Sequence, residues 1–175
     1  MEKVLFLDRD GVINYEKDYL YKIEDFEFVE GVFQALQFFQ DRGFKIVVIT
    51  NQSGIARGYY TQDDFDKLTN WMIEIFKTNG IDISGVFYCP HGPNEQCSCR
   101  KPMTGMIDQA KKLFEIDFQN SWLVGDKQSD IELAINSNIQ NSVQVRSGHC
   151  FDSKKSKAKY VLDSIAQLPS VFSVK

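Results

Sequence analysis

The sequence predicts an α/β fold in which a doubly wound, Rossmann-like parallel sheet carries helices on both faces. Short apolar segments alternate with longer amphipathic segments, and short connections join them. Several of the apolar segments have apolar residues at consecutive positions, which is typical of strands covered on both faces. With 175 residues the chain has the length of one domain, 1–175, and buries enough surface to need no disulfide framework.

Five segments are predicted strands because β-branched and aromatic residues dominate them. They are KVLFL at 3–7, FKIVVIT at 44–50, GVFYC at 85–89, SWLVG at 121–125 and VQVR at 143–146. Longer segments separate them, as expected where a crossover helix joins two parallel strands.

Four of the intervening segments are predicted helices, at 31–41, 62–78, about 104–115 and 128–138. The first follows Gly31 and ends before Gly43, a typical C-terminal stop signal. The second starts at Thr61, whose hydroxyl can cap the first turn together with Asp64. Helical spacing within this segment predicts a buried stripe made of Phe65, Leu68, Met72 and Ile75.

Charge and composition exclude some classes of function. The net charge of −4 and the pI near 5.2 argue against a nucleic-acid-binding protein, which usually has a basic balance. The N-terminal apolar segment is short and runs directly into charged residues, so we expect neither a signal peptide nor a membrane span. We therefore expect a cytoplasmic protein, whose cysteines are free, catalytic or metal-bound rather than paired. The lysine-rich segment 154–159 is predicted to be a solvated surface.

Polar residues follow four of the predicted strands, at the edge where parallel strands deliver their loops. In order along the chain they are Asp8-Arg9-Asp10-Gly11, Thr50-Asn51-Gln52-Ser53-Gly54, Cys89 with Arg100-Lys101-Pro102, and Gly125-Asp126-Lys127 with Asp130. Carboxylates, a hydroxyl and lysines thus converge on one edge of the sheet, which predicts the functional site there.

These residue types suit phosphoryl transfer. Asp8 and Asp126 would repel each other unless a cation neutralised them, and Mg²⁺ suits carboxylates and phosphate. One aspartate can attack phosphorus while another exchanges protons with the leaving alcohol and with water. Thr50, nearby amides and Lys101 can hold the phosphoryl oxygens. The alternative, that Asp8 and Asp10 are surface or helix-capping carboxylates, is disfavoured by the other residues in register.

FLDRDGVIN, VVITNQSG, CRKP and LVGDKQSDIELA resemble, in this order, the four motifs of the haloacid dehalogenase-like phosphatases. The resemblance implies Asp8 as nucleophile, Asp10 as general acid/base, and Thr50 and Lys101 as stabilisers of the phosphoryl group. It also implies Mg²⁺ held by Asp8, the Asp10 carbonyl and Asp126. About forty residues separate the first two motifs, so we expect an open site without a large cap domain.

A cysteine-rich segment, CPHGPNEQCSCRKP at 89–102, has the pattern C-x-H-x₅-C-x-C. Its candidate ligands are Cys89, His91, Cys97 and Cys99, a set of three thiolates and one imidazole that is typical of structural zinc. Unmetallated thiols and a redox centre are the alternatives. Because the chain fills all four positions, the zinc would be structural, and the loop would present the adjacent Arg100 and Lys101 to phosphate. His149 and Cys150 lie outside the pattern and are predicted to be a surface or half-buried pair.

Within the superfamily, the zinc loop resembles the heptose bisphosphate phosphatases and the histidinol-phosphate phosphatase domains. TNQSGIARGYY, EDFEF, CRKPMTGM and VGDKQSD resemble the heptose group, while the five-residue gap between His91 and Cys97 is similar to the histidinol-phosphate group. The first resemblance implies hydrolysis of the 7-phosphate of heptose 1,7-bisphosphate through an aspartyl phosphate, in ADP- or GDP-heptose precursor synthesis for surface polysaccharide. Histidinol-phosphate hydrolysis and a catalytically silent zinc-binding module remain as alternatives.

The heptose resemblance also implies which residues contact the substrate, a small phosphorylated sugar. They are Glu16, Lys17, Asp18, Tyr19, Asn51, Gln52, Ser53, Arg100 and Lys127. A bisphosphate needs a second cationic pocket, for which Arg57 is a further candidate. We expect a monomer, with neither nucleic acid nor membrane as partner.

Overall fold

The structure is a computed structural model that describes residues 1–172. Its strands are β1 (Val4–Leu7), β2 (Lys45–Asn51), β3 (Ile83–Cys89), β4 (Trp122–Gly125), β5 (Asn141–Val145) and β6 (Tyr160–Leu162). Its helices are α1 (Val32–Gln40), α2 (Gln62–Thr78), α3 (Gly105–Ala110), α4 (Gln128–Asn136) and α5 (Leu168–Phe172). Single turns of 3₁₀ helix form at Ile23–Asp25, Ser153–Lys155 and Ile165–Gln167.

The six strands form one parallel sheet in the order β3-β2-β1-β4-β5-β6. The strands β2 and β3 lie on one side of β1, and β4, β5 and β6 lie on the other side. The direction in which strands are added to the sheet therefore reverses between β1 and β4. Ligands of open α/β sheets bind at such a reversal, outside the carboxyl ends of the strands. Asp8 follows β1 and Asp126 follows β4, which puts these two carboxylates on either side of this point.

Successive side chains of a strand point to opposite faces of the sheet and pack in two separate hydrophobic cores. Leu5 and Leu7 pack in the core that also contains α1, α2 and α5, whereas Val4 and Phe6 pack in the core beneath α3 and α4. Helices therefore cover both faces of the sheet, which explains why the strands are apolar at consecutive positions. The predicted doubly wound α/β fold is confirmed.

The start of α2 matches the capping prediction. The Thr61 hydroxyl oxygen accepts a hydrogen bond from the Asp64 amide at 3.1 Å, and the Asp64 carboxylate accepts one from the Thr61 amide at 2.9 Å. These bonds satisfy two backbone donors that a helix start otherwise leaves free. One core position differs from the prediction, since Ile75 is only half-buried and Phe76 is fully buried in its place.

Three other differences lie in the second half of the chain. The strand β6, of three residues, and the helix α5, of five residues, were not predicted. The helix predicted at about 104–115 ends at Ala110. The backbone beyond it pairs with Glu2, whose amide donates to the Glu115 carbonyl and whose carbonyl accepts from the Asp117 amide at 2.8 Å. This long-range pairing ends the helix early.

The connection from β1 to β2 contains only the turn Ile23–Asp25 and α1, so residues 1–172 form no separate cap domain. The carboxyl edge of the sheet is therefore covered by loops alone. Among the helices of this part of the chain, none combines the length and the apolar character needed to cross a membrane.

Candidate active site

Asp8, the predicted nucleophile, lies directly after β1 and is 7% exposed. Its Oδ1 atom accepts a hydrogen bond from the Arg9 amide at 2.8 Å and lies 2.9 Å from the Lys101 Nζ atom. Burial raises the pKa of Asp8, and the neighbouring carboxylates Asp130 and Asp10 add to the rise, while Lys101 partly opposes it. A cation placed next to Asp8 would therefore favour its ionised form.

Asp10, the predicted general acid/base, has more hydrogen-bond donors around it. Its Oδ1 atom accepts from Arg9 Nη2 at 3.0 Å and from Asn14 Nδ2 at 3.0 Å, and its Oδ2 atom accepts from Gln52 Nε2 at 3.1 Å. Burial alone would raise the pKa of Asp10, but the Arg9 cation and these hydrogen bonds outweigh it and hold the pKa below its usual range. Asp10 is thus a carboxylate in the free site.

Asp126, directly after β4, is fully buried. Its Oδ2 atom accepts hydrogen bonds from the His149 amide at 2.8 Å and contacts His149 Nδ1 at 2.6 Å. Burial, followed by the charge of Asp8, raises the pKa of Asp126 against the opposing effect of His149. His149 is half-buried, which agrees with the prediction for it, and it also anchors this carboxylate.

Two glycines leave the space that Asp126 occupies. A Cβ atom on Gly11 would lie 2.7 Å from Asp126 Oδ2, and one on Gly148 would lie 2.7 Å from Asp126 Cγ. Gly11 also has a φ of 87°, which permits the sharp bend between Asp10 and the following residues. Any larger residue at either position would therefore push against a buried carboxylate.

The carboxylates fit a divalent cation. Asp8, Asp126 and Asp130 each offer an oxygen, and these oxygens lie within 4.8 Å of one another. The Asp126 Oδ1 atom is buried and has no hydrogen-bond partner among residues 1–172. Buried polar atoms are rarely left without a partner, and oxygen ligands are the preference of Mg²⁺. The donor set and the free oxygen thus suit magnesium.

Lys101 joins the loop after β1 to the start of α4. Its Nζ atom contacts Asp130 Oδ1 at 2.7 Å and donates to the Ile49 carbonyl at 3.1 Å, besides the contact to Asp8. Burial would lower the pKa of Lys101, but Asp130 and Asp8 together raise it above its usual range. Lys101 therefore remains a cation between Asp8 and Asp130.

Asp130 was listed among the polar residues at this edge of the sheet, but the sequence analysis gave it no role. It lies in the first turn of α4, and its Oδ2 atom accepts a hydrogen bond from the Lys127 amide at 3.0 Å. Its four-residue spacing from Asp126 within VGDKQSD was a signal that could have identified it, since both follow the same strand.

Thr50 and Gln52, at the end of β2, are buried next to these carboxylates and bonded to each other. Gln52 Nε2 donates to Thr50 Oγ1 at 2.9 Å as well as to Asp10, and Gln52 Oε1 accepts from the Tyr60 hydroxyl at 2.5 Å. The Gln52 amide donates to the Cys89 carbonyl at 2.7 Å. These bonds hold the Thr50 hydroxyl and the Asp10 carboxylate in one network.

A cavity of about 330 Å³ opens over these groups. It brings together most of the predicted substrate residues, namely Glu16, Asp18, Tyr19, Asn51, Gln52, Ser53, Arg100 and Lys127. Arg57, Tyr60 and His149 line it too. Lys17 does not line it, because its Nζ atom donates to the Asp25 carbonyl at 2.7 Å and lies 3.7 Å from Glu27.

Among the cavity residues, Glu16 has a strongly raised pKa. Burial raises its pKa to about 7, with a further contribution from Asp10, while His149 and Lys127 oppose the rise. Its Oε2 atom lies 3.9 Å from His149 Nδ1. At neutral pH this side chain can therefore be present in both protonation states.

The predicted zinc ligands also converge. Cys89 Sγ lies 2.9 Å from Cys99 Sγ and 3.7 Å from Cys97 Sγ, and His91 Nδ1 lies 3.2 Å from Cys99 Sγ. Tetrahedral zinc with bonds of roughly 2.3 Å requires sulfur atoms about 3.7 Å apart, which is the spacing of Cys89 and Cys97, and the four ligand atoms all lie within 4.8 Å of one another. All the cysteines are free thiols, and Cys89 is buried. The cluster is compatible with zinc.

The exit of the zinc loop is fixed against β2. Asn51 Oδ1 accepts from the Lys101 amide at 3.0 Å, and Arg100 Nη1 donates to the His91 carbonyl at 3.3 Å. The loop thus ends with Lys101 in contact with Asp8 and with Arg100 at the cavity.

Known proteins are similar to this chain in sequence and in architecture. The family model described as "Polynucleotide kinase 3 phosphatase" matches residues 3–160. The D-glycero-beta-D-manno-heptose-1,7-bisphosphate 7-phosphatase of Pasteurella multocida is 43% identical, over 98% of this chain and 97% of its own length. The D-glycero-alpha-D-manno-heptose-1,7-bisphosphate 7-phosphatase of Campylobacter jejuni is 48% identical, over 82% of each chain.

A solved structure shows the same likeness. The D,D-heptose 1,7-bisphosphate phosphatase from B. bronchiseptica, crystallised with magnesium and phosphate, superimposes with a TM-score of 0.84 at 27% identity and covers 97% of both chains. Together with the sequence relatives, this shows that the chain belongs to the haloacid dehalogenase-like phosphatases, in the group of the D-glycero-D-manno-heptose-1,7-bisphosphate 7-phosphatases.

Proposed function

We propose that this protein hydrolyses the 7-phosphate of D-glycero-D-manno-heptose 1,7-bisphosphate through an aspartyl phosphate on Asp8. The observation that carries the proposal is the meeting of Asp8, Asp10, Asp126 and Lys101 at the point where the strand order reverses. The relatives named above act on this class of substrate, which supports heptose bisphosphate over histidinol phosphate and over a silent zinc-binding module.

In the first step, a carboxylate oxygen of Asp8 attacks phosphorus and the bond from phosphorus to the sugar oxygen breaks. Asp10 gives a proton to that leaving oxygen. The phosphate that binds beside Asp10 is a dianion, and a like charge raises the pKa of a carboxyl group, which favours the protonated form that this step needs. Lys101 and the Thr50 hydroxyl face the phosphoryl oxygens as charge develops on them.

In the second step, Asp10 takes a proton from a water molecule that attacks the aspartyl phosphate, releasing phosphate and restoring Asp8. The carboxylate state of Asp10 in the free site suits this role as a base. Mg²⁺, which Asp8 and Asp126 would hold, would supply positive charge that offsets the carboxylates and the phosphate. We include the Asp10 carbonyl as a third ligand, following the family resemblance.

The cavity residues suit the rest of the substrate. Arg57, Arg100 and Lys127 are the candidates for the phosphate that stays on the sugar. Glu16 and Asp18 can accept hydrogen bonds from sugar hydroxyls. Lys17 stays a predicted substrate contact, although its ammonium group donates to the Asp25 carbonyl and lies 3.7 Å from Glu27. We infer structural zinc at Cys89, His91, Cys97 and Cys99, and a monomeric enzyme.

Phosphate release from four compounds tests the proposal. The alpha and beta anomers of heptose 1,7-bisphosphate are compared with histidinol phosphate and with p-nitrophenyl phosphate, in the presence of Mg²⁺. We expect one of the heptose anomers to have the highest kcat/KM. A higher value for histidinol phosphate would reject the substrate, and no turnover of any compound would reject the enzyme in favour of the silent module.

A further inference from the structure

Arg9 is a charged side chain at the centre of the site, yet neither the proposed reaction nor the motif assigns it a role. It is 2% exposed. Its Nε and Nη2 atoms both donate to Asp10 Oδ1, at 3.3 and 3.0 Å, and Nη2 also donates to the Leu20 carbonyl at 2.9 Å. Its guanidinium carbon lies 6.0 Å from the centre of the Phe65 ring. Arg9 therefore lies beneath the cavity rather than in it.

The buried ion pair of Arg9 and Asp10 is not explained by a gain in folding stability. The Arg9 Nη1 atom is buried and has no hydrogen-bond partner in the described part of the chain. Burying an ion pair is often no more favourable than burying apolar side chains of the same volume, and an unsatisfied buried donor adds to the cost. A cation at position 9 is thus better explained by what it does to its partner than by packing.

The partner of Arg9 is the Asp10 carboxylate, whose two oxygens accept different numbers of hydrogen bonds. Asp10 Oδ1 accepts three N–H donors, two from Arg9 and one from Asn14. Asp10 Oδ2 accepts only one, from Gln52. An oxygen crowded by N–H donors is the poorer site for a proton, so the proton that Asp10 exchanges belongs on Oδ2.

We propose that Arg9 is a positioning residue, which turns the Asp10 carboxylate so that Oδ2 delivers and accepts the proton. The proposal deepens the proposed function and rests on it. The hydrogen bond from Arg9 to the Leu20 carbonyl extends the effect to the neighbouring loop, because Tyr19 and Leu20 both line the cavity. Arg9 thereby joins the position of the general acid/base to the position of the substrate loop.

The test uses leaving groups that differ in their need for a proton. A sugar alkoxide leaves only if Asp10 protonates it, whereas p-nitrophenolate leaves without a proton. For Arg9→Gln we expect kcat/KM for heptose bisphosphate to fall by about 10²-fold and kcat/KM for p-nitrophenyl phosphate to fall by less than about 3-fold. Equal falls for the two substrates would overturn the proposal, since a misshapen site would slow both alike.

Two further variants keep the test decisive if Arg9→Gln folds poorly. Arg9→Lys keeps the charge but cannot form the forked contact, and we expect the same selective loss at about 10-fold. In an Asp10→Asn background, Arg9→Gln should lower kcat/KM for heptose bisphosphate by less than about 3-fold more, because the proton it positions is already lost. An additive loss in this double variant would contradict the proposal.

The outcome is separable from that of the proposed function. If the wild-type enzyme does not hydrolyse heptose bisphosphate, the substrate assignment fails. The Arg9 comparison then uses whichever alkyl phosphomonoester the enzyme does hydrolyse, against p-nitrophenyl phosphate. Thermal unfolding of each variant shows whether its fold is intact.

Discussion

The catalytic edge and the zinc loop both gather four or more polar side chains, but they hold them in different ways. At the catalytic edge, each group comes from the end of a strand or the start of a helix and is bonded to the protein around it, as Lys101 is to Asp8, Asp130 and Ile49. In the zinc loop, the three thiols and the imidazole contact mainly one another.

The two regions therefore differ in what fixes their side chains in place. The sheet and its hydrogen bonds place the catalytic residues before any ligand binds. Residues 90–100, between β3 and Lys101, contain no helix or strand, so the metal ion would supply the order that secondary structure does not. Removing a catalytic residue should therefore affect activity far more than stability, and removing a zinc ligand should affect stability first.

The largest effect is expected for Asp8→Asn. The variant loses the nucleophile, and we expect kcat to fall by at least about 10³-fold. Its melting temperature should not fall, since burial already disfavours the charged form of Asp8 and the substitution removes a repulsion from Asp130 and Asp10. Steady-state kinetics and thermal unfolding measure the two quantities. Asp82→Asn, at an exposed position just before β3, is the matched control and should behave as wild type. Full activity of Asp8→Asn would contradict the nucleophile assignment.

Compared with Asp8→Asn, the variant Cys97→Ser is expected to lose less activity and more stability. Loss of one of the four ligands should release the zinc, and we expect a loss of about 3 kcal/mol in unfolding free energy, or roughly 6–12 °C in Tm. Metal analysis and thermal unfolding provide the measurement. Cys150→Ser removes an exposed thiol outside the cluster and should change neither value. Undiminished zinc in Cys97→Ser would show that Cys97 is not a ligand.

The smallest effect concerns Glu16, at the edge of the catalytic region. Its folded-state pKa of about 7 lies above its usual value, so the unfolded chain releases this proton at a lower pH than the folded one. Wild-type stability should therefore fall relative to Glu16→Gln as the pH rises from 5 to 8, by about 1–3 kcal/mol in magnesium-free buffer. Denaturant unfolding of both proteins across this range measures it, with Glu24→Gln as an exposed control. A constant difference would refute the raised pKa.

The sequence predicted those parts of the fold that depend on local pattern. The apolar runs that became β1, β2 and β4 and the cap at Thr61 needed no knowledge of distant contacts. The early end of α3 could not be predicted, because it follows from pairing with Glu2, more than a hundred residues away in sequence. The strand β6 has three residues and gains its stability from β5, so its own composition gives little signal.

For the site, sequence reasoning identified the residues at strand ends but not the contacts that support them. Asp8, Thr50, Lys101 and Asp126 follow from the rule that ligands bind at the carboxyl edge of a parallel sheet. His149 lies after β5 and carries no motif, so its bonds to Asp126 appear only in three dimensions. The assignment of Lys17 to substrate binding stays a prediction, although its ammonium group is bonded elsewhere.

The close packing of two glycines on Asp126 also limits how this enzyme can evolve. The loop after β5 bears none of the four motifs, and a survey of mutational tolerance would be expected to find it permissive. Gly148 is different, because even a methyl group there would collide with the side chain of Asp126. Asp126, which belongs to another motif, thus constrains the residue at position 148. The rest of the loop can change in sequence as long as this glycine is kept.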